Sequence, residues 1–265
     1  MTSYFGTVHR ILRWPVKSLR GEELREARFD DRGLAGDRAY ALVDERENHA
    51  GRVLTVRRRA EMLHWRAAYG SPGRGSFEGG SRGNGDFEGG ARGNGDAPRP
   101  TLTGPDGATW DWDAPGLVDA LAESLGTPLS LRAADGQQDR GPTVLVTFEA
   151  SLVALGGELG RPVDLLRFRP NLHLETDAPA FDEEGWAPGT TITAGETELT
   201  VTGDYAGPCI RCVVPSWDPE GHERWPELQK WLIGEHENKF GVIMRVTRAG
   251  TARLGDRATA TPGPR

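Results

Sequence analysis

Short β-type segments separated by turns dominate the first part of this chain. Residues 4–16, 23–29, 39–44 and 53–56 are mostly rich in β-branched and aromatic side chains, and turns containing Gly or Asp separate them. Several short strands at such a spacing are typical of a barrel or a sandwich. The pattern therefore predicts a mainly β fold for this region.

Fewer helices than strands are predicted in the remainder. Apolar residues recur at helical spacing in three segments, and Ser151 is a candidate N-cap for the second of them. The predicted helices are 117–125, 151–159 and 226–233. Alternating apolar residues predict a strand pair within 191–201 and a closing hairpin from 240–247 and 251–258. The expected fold class is mainly β (α+β) with a few short helices.

A glycine-rich insertion, residues 71–98, interrupts the globular pattern. It contains a ten-residue tandem repeat, 77–86 followed by 87–96, with one substitution between the copies. Ordering so much glycine costs conformational entropy that two isolated Phe side chains would not offset, so we predict a disordered surface loop. Its Arg-Gly spacing is weak support for RNA binding, because each repeat carries one Arg against one Glu and one Asp.

The charge balance narrows the classes of partner. Lys and Arg number 32 against 39 Asp and Glu, for a net charge of −7, so no global basic field would gather nucleic acid or anionic lipid. The N-terminal apolar residues alternate with basic ones, unlike a signal peptide, and no stretch approaches the roughly 20 apolar residues of a membrane span. With two cysteines, these features favour a reducing cytoplasm.

The two cysteines, Cys209 and Cys212, lie together between β-rich segments. A thiolate is a soft metal ligand and a strong nucleophile, and the guanidinium of Arg211 between them would favour the ionised form of Cys212. A structural zinc site is disfavoured because His222 and His236 are fourteen residues apart and no further Cys exists. A thioredoxin-like site is disfavoured as well, since the pair does not open a helix in a βαβ unit.

Three basic clusters provide donors for an anion. They are 14–21, where Pro ends a strand; 33–38, a glycine turn; and 167–171, a turn fixed by Pro. The candidate donors are Lys17, Ser18, Arg38, Arg169 and Asn171. Such groups at loop ends are those of a phosphate site. The alternatives are solvated surface charges for the cations and a simple turn residue for Asn171.

The order of these clusters resembles the MOSC-domain family (molybdenum cofactor sulfurase C-terminal) with its N-terminal β-barrel domain. The same arrangement is seen in the mitochondrial amidoxime-reducing component and its bacterial relatives. The matching segments are 14–18, 33–38, 54–57, 149–152, 167–171, 181–186, 209–212, 218–219, 240–241 and 255–256. They span nearly the whole chain, and their ordered occurrence is specific although each segment alone is not.

The resemblance implies two domains, an N-terminal β-barrel-like domain at 1–125 and a MOSC β-barrel domain at 126–265. It also implies a molybdenum cofactor (Mo-molybdopterin) between them, with Cys212 as metal ligand and catalytic residue. The residues that match the family's cofactor contacts are Lys17, Ser18, Arg38, Arg169, Asn171 and Arg211. One departure is Ile210, which stands where the family commonly has a small polar residue.

The function expected from the resemblance is that of a molybdenum-dependent oxidoreductase that reduces N-hydroxylated or N-oxide-type small molecules. An acid such as Glu184 could supply protons. Two cysteines are too few for a Cys₄ iron–sulfur cluster and no dinucleotide fingerprint is present, so a separate ferredoxin, flavoprotein or cytochrome would donate electrons. The alternatives are a non-catalytic cofactor carrier, a persulfide relay on Cys212, and a β-rich scaffold with a redox-regulatory Cys pair.

Overall fold

The computed structural model describes residues 2–70, 98–139, 141–204 and 206–264. The tandem repeat, and with it the prediction of a disordered loop, lies outside the described residues. In the described ranges no helix is long and apolar enough to cross a membrane. The strands are β1 (Tyr4–Arg13), β2 (Glu22–Leu24), β3 (Glu26–Asp30), β4 (Gly33–Leu34), β5 (Tyr40–Asp44), β6 (Arg52–Val53), β7 (Arg66–Tyr69), β8 (Pro100–Thr103), β9 (Thr109–Asp111), β10 (Leu129–Ala133), β11 (Val144–Phe148), β12 (Leu172–Thr176), β13 (Thr191–Ala194), β14 (Thr197–Thr200), β15 (Gly207–Ile210), β16 (Lys239–Arg248), β17 (Gly250–Arg253) and β18 (Arg257–Thr261).

Helices are short and few in the described ranges. The α-helices are α1 (Leu117–Leu125), α2 (Glu149–Glu158) and α3 (Pro226–Glu235), and the 3-10 helices are Ala60–His64, Leu165–Phe168, Asp182–Gly185 and Val214–Ser216. All three predicted helices are therefore present. The predicted mainly β fold is confirmed.

A closed seven-stranded barrel forms the larger body among these elements. Its strands follow the order β11, β12, β1, β18, β13, β14 and β16, and β16 pairs back with β11 to close the ring. Alternate side chains of each strand point inward, and buried aliphatic residues such as Val146, Leu172, Ile192 and Val242 fill the interior. Closure leaves these barrel strands without free edges.

The smaller body contains two three-stranded sheets, β10-β5-β6 and β7-β8-β9, packed with α1. Leu117, Leu121 and Leu125 are four residues apart in α1, so they share one face, and all three are buried. The helix ends at Gly126, whose left-handed φ of 61° turns the chain so that the N–H of Thr127 donates to the carbonyl of Ala122 at 3.1 Å.

The first strand joins the two bodies. β1 comes from the N-terminal end of the chain, yet it pairs with β12 and β18 in the barrel. β3 also pairs with β17 near the other end of the chain. The predicted domain boundary between residues 125 and 126 stays a prediction. The chain that follows β1 leaves the barrel at the junction of the two bodies.

The closing hairpin is predicted incorrectly. Residues 251–258 are split by a turn at Gly255, where φ is 80°, into β17 and β18. β17 pairs with β3, whereas β18 pairs with β1 and β13, so neither continues a hairpin with β16. The partners β1 and β3 lie more than two hundred residues away and β13 lies more than sixty residues away, so local sequence does not encode these pairings.

Ser151 is not the N-cap of α2. The helix begins at Glu149, and Ser151 is buried in its first turn. Its hydroxyl donates to Glu183 Oε2 at 2.9 Å and accepts from the backbone N–H of Phe181, also at 2.9 Å. The hydroxyl thus joins α2 to the 3-10 helix Asp182–Gly185.

Candidate functional site

A pocket of about 900 Å³, including its open mouth, lies where the two bodies meet. The structure brings all seven predicted site residues to its wall, although they come from three distant parts of the chain. They are Lys17, Ser18, Arg38, Arg169, Asn171, Arg211 and Cys212.

Three of these residues have a left-handed backbone. The φ angles are 73° at Ser18, 49° at Arg38 and 55° at Arg169. Residues with a Cβ rarely adopt this conformation because it costs energy, and such residues cluster at functional sites. Hydrogen bonds on both sides hold the first of these turns, since Lys17 N–H donates to Tyr40 O at 2.8 Å and Leu19 N–H to Val16 O at 3.2 Å.

Arg38 is buried and is oriented by Asp37. One terminal nitrogen donates to Asp37 Oδ2 and the other to the carbonyl of Arg169 at 3.1 Å. Asp37 Oδ1 in turn accepts from the N–H of Trp14 at 2.9 Å. The Asp37 carboxylate therefore connects the chain after β1 to the guanidinium that it orients.

Arg169 lies against Trp14. Its guanidinium carbon is 4.2 Å from the indole ring centroid, and Nη2 donates to the carbonyl of Leu19 at 2.8 Å. Removal from water, together with the nearby Arg38 cation, lowers the pKa of Arg169 to about 9, although the charges of Asp37, Asp139 and Cys212 oppose this. A ligand anion here would relieve the repulsion between the two guanidinium groups.

Lys17 contacts the carboxylate of Asp139. Its Nζ is 3.0 Å from Asp139 Oδ1 and donates to the carbonyl of Gln138 at 2.9 Å. The other carboxylate oxygen of Asp139 is 3.8 Å from Arg38 Nε. Asp139 thus lies between two of the cations predicted to bind phosphate, so a ligand phosphate would compete with it for both.

Asn171 is buried and its amide is engaged on both sides. Oδ1 accepts from the N–H of Leu145 at 3.1 Å and is 3.5 Å from Arg38 Nη1, while Nδ2 donates to Leu12 O at 3.3 Å. These contacts tie β1 to β11 beside the pocket. They make Asn171 a positioning group for Arg38, and a direct contact to a ligand stays a prediction.

The cysteines lie at the end of β15. Cys209 is buried, Cys212 is half-buried, and neither forms a disulfide. Arg211 Nη1 donates to Cys209 Sγ at 3.0 Å and Nη2 to Phe168 O at 2.7 Å. The expected pairing of Arg211 with Cys212 is therefore not what the structure shows. In extended chain residues two apart share a face, which directs Arg211 toward Cys209.

Two family models match the chain. The MOSC domain matches residues 136–259, and the MOSC N-terminal beta barrel domain matches residues 5–81. Together they cover most of the chain, in the order that the motifs indicate. The chain is a MOSC-domain protein. MOSC domains are associated with proteins that bind the molybdenum cofactor.

Other comparisons of this MOSC protein are more distant. Among solved structures it is similar to the YUAD protein from Bacillus subtilis, with 10% identity over 99% of each chain and a TM-score of 0.47. It is also similar to YiiM from Geobacillus stearothermophilus, with 20% identity over 44% of this chain and 53% of the other, and a TM-score of 0.34. No curated protein matches it.

Glu184 does not line the pocket of the MOSC protein, contrary to its expected role as a proton donor. Its Oε1 is 2.9 Å from His236 Nδ1, and the other ring nitrogen of His236 is 2.8 Å from Glu158 Oε2. Burial raises the pKa of Glu184. The sequence gives no sign of this pairing because the three residues lie on separate elements.

Sequence reasoning missed Trp14, Asp37 and Asp139 as parts of the site. The first two lie inside the recognised motifs, close to the predicted cations Lys17 and Arg38. A buried carboxylate next to a buried arginine is the signal that could have identified Asp37. No local pattern distinguishes Asp139.

Proposed function

We propose that this MOSC protein is a molybdenum-cofactor-binding oxidoreductase that reduces N-hydroxylated or N-oxide-type small molecules. The observation that carries the proposal is the single pocket that holds the Cys212 thiol together with Lys17, Arg38 and Arg169. A thiolate suits a soft metal, and ammonium and guanidinium groups suit a phosphate. A cofactor that carries both a soft metal and a phosphate would use both kinds of group.

The donor set fits that cofactor. Within the described ranges no group of three or more His, Cys, Asp or Glu side chains could hold a metal ion. When bound, the molybdenum cofactor would bring its own sulfur ligands and supply the two-electron redox chemistry. Arg211 Nε is buried without a hydrogen-bond partner, which leaves a donor for such a ligand.

Each residue then has a role of its own. Lys17 and Arg38 would bind the phosphate in place of their contacts with Asp139, and Ser18 would add a hydroxyl donor. Arg169 would add a third positive charge, while Asp37 and Asn171 hold Arg38 in place. Cys212 would be the protein's metal ligand and Arg211 a donor near the metal.

The reaction requires reducing equivalents that this chain does not supply. Cleavage of the N–O bond consumes two electrons and two protons, converts an N-hydroxy group to N–H and releases water. Because the chain has two cysteines and no dinucleotide fingerprint, the electrons would come from a separate donor protein. We propose the cytoplasm as the compartment of the reaction.

The test is purification from a host that makes molybdenum cofactor. Molybdenum per chain and pterin fluorescence measure binding, and turnover of a hydroxylamine with a reduced viologen measures activity. We expect both in the wild type and neither in Cys212→Ser, with Cys209→Ser as the matched control. Bound cofactor without turnover would overturn the proposed enzymatic activity and favour a cofactor carrier or a sulfur relay. A wild-type protein without molybdenum would overturn the binding proposal.

A further inference from the structure

A second groove, with about 1090 Å³ of empty space, lies beside the candidate cofactor pocket. It is bordered by β1, β2, the 3-10 helix Leu165–Phe168 and residues 217–220. Among the described residues, Arg169 and Val214 alone line both cavities and so form the wall between them. The groove therefore has a lining of its own, which the proposed oxidoreductase function does not use.

The acidic side chains of the groove are already engaged. The ion pairs, with N–O distances of 2.8–2.9 Å, are Glu22 with Arg13, Glu23 with Arg10 and Glu220 with Arg20. The carboxylate of Asp218 accepts from the backbone N–H groups of Glu220, His222 and Glu223. The three glutamates are therefore paired with arginines, and the Asp218 carboxylate is held by backbone donors.

Arg167 is the groove's buried cation. The residue is 8% exposed, and Nη1 donates to the carbonyl of Pro215 at 3.2 Å. No carboxylate in the described ranges lies within ion-pair distance of it. Burial lowers its pKa, and the more distant charges of Asp218, Asp164 and Glu223 oppose this only in part. A buried guanidinium without an anion is costly, so a structure that retains one favours a ligand that supplies the negative charge.

Two other arginines of the groove also lack a carboxylate partner in the described part of the chain. Arg66 is exposed and its Nε donates to Gly21 O at 3.2 Å, while Arg169 has the contacts with Leu19 and Trp14 given above. Indole rings and aliphatic side chains line the rest. These are Leu12, Trp14, Leu63, Leu166, Val214 and Trp217.

We propose that this groove binds a small organic carboxylate, whose charge is recognised by Arg167 and Arg66 and whose planar apolar body packs on the half-buried indole ring of Trp217. Guanidinium groups match the two oxygens of a carboxylate, and an indole face offers a large apolar contact. A single negative charge is favoured over a phosphate dianion, because the engaged acids of the groove would repel a second charge. The site needs no molybdenum.

Benzoate is the probe, and benzamide is its neutral control of nearly the same shape. Dissociation constants are measured on the full chain by ligand-observed NMR. We expect benzoate to bind at least about tenfold more tightly than benzamide, because only benzoate forms charge-assisted hydrogen bonds. Arg167→Gln should weaken benzoate binding about tenfold and Arg66→Gln severalfold, since Arg66 is the more exposed.

Arg52→Gln is the matched control, because it removes the same charge from an exposed arginine that lines neither cavity. It should leave benzoate binding unchanged. If Arg167→Gln does not fold, the exposed Arg66 carries the test. Equal affinity for benzoate and benzamide, absence of benzoate binding, or an equal loss in Arg52→Gln would overturn the proposal. Because Arg66 and Arg167 do not line the cofactor pocket, these results are independent of molybdenum binding.

Discussion

The buried carboxyl of Glu183 should make the stability of the protein depend on pH. Glu183 is 2% exposed, and Oε2 accepts from the Ser151 hydroxyl at 2.9 Å while Oε1 is buried without a hydrogen-bond partner. Burial raises the pKa of Glu183 from 4.5 to about 7; nearby Glu184 and Asp182 add to the rise, and the hydroxyl of Ser151 opposes it.

The direction of the effect follows from linkage. Because the pKa of Glu183 is higher in the folded protein, its protonated form is favoured there, and the unfolded chain ionises first as pH rises. Its contribution to stability is full below pH 4.5 and is lost as the pH rises through about 7. A difference of roughly 2.5 in pKa corresponds to about 3 kcal/mol, of which about 2.5 kcal/mol falls between pH 5 and pH 8.

Glu183→Gln tests this, because an amide of the same shape does not ionise. Urea unfolding of wild type and variant at pH 5 and pH 8 gives the free energies of unfolding. We expect the variant to gain about 2.5 kcal/mol relative to wild type between these pH values. Glu47→Gln, at an exposed carboxyl, should parallel wild type. Parallel profiles for Glu183→Gln and wild type, within about 0.5 kcal/mol, would refute the reasoning.

Three further predictions concern the cofactor pocket. Cys212→Ser should lose molybdenum and Cys209→Ser should retain it, as metal analysis will show; equal loss in both would contradict a single thiolate ligand. Lys17→Ala and Arg169→Ala should each reduce cofactor affinity by one to two decades, or about 1.5–3 kcal/mol. Arg169→Lys should also reduce the affinity. Wild-type pterin content in all three variants would exclude a phosphate site built from these cations. Asp139→Asn should tighten inorganic phosphate binding severalfold in a titration of cofactor-free protein, because it removes a competing carboxylate, and weaker binding would contradict that competition.

The sequence predicts correctly those elements whose stabilising contacts lie close together in the chain. Helix α1 was predicted at its observed bounds because leucines four residues apart lie between glycines that favour its ends. Ser151 was predicted wrongly as an N-cap because its partner, Glu183, lies on a segment 32 residues away. The closing hairpin failed because β17 and β18 pair with strands from the other end of the chain.

The candidate site shows the same difference between local sequence signals and contacts between distant segments. Its residue types were evident because a thiolate and several cations in short motifs are unusual in an acidic chain. The contacts among them were not evident, since the partners of Arg211 and Lys17 depend on how separate elements pack. Arg211 contacts Cys209, and Lys17 contacts Asp139, in a segment that carries no recognisable motif.

Strand register determines where these charges meet. β1 pairs with β12 so that Ile11 faces Leu172, and Leu12 N–H donates to Asn171 O at 2.9 Å. Lys17 and Ser18 follow β1, and Arg169 precedes β12, so the cations of the two bodies are aligned by one antiparallel pairing. A one-residue slip in that pairing would exchange the buried and exposed faces of β1. Burial of the apolar face of β1 therefore disfavours this slip and so maintains the positions of the cations in the pocket.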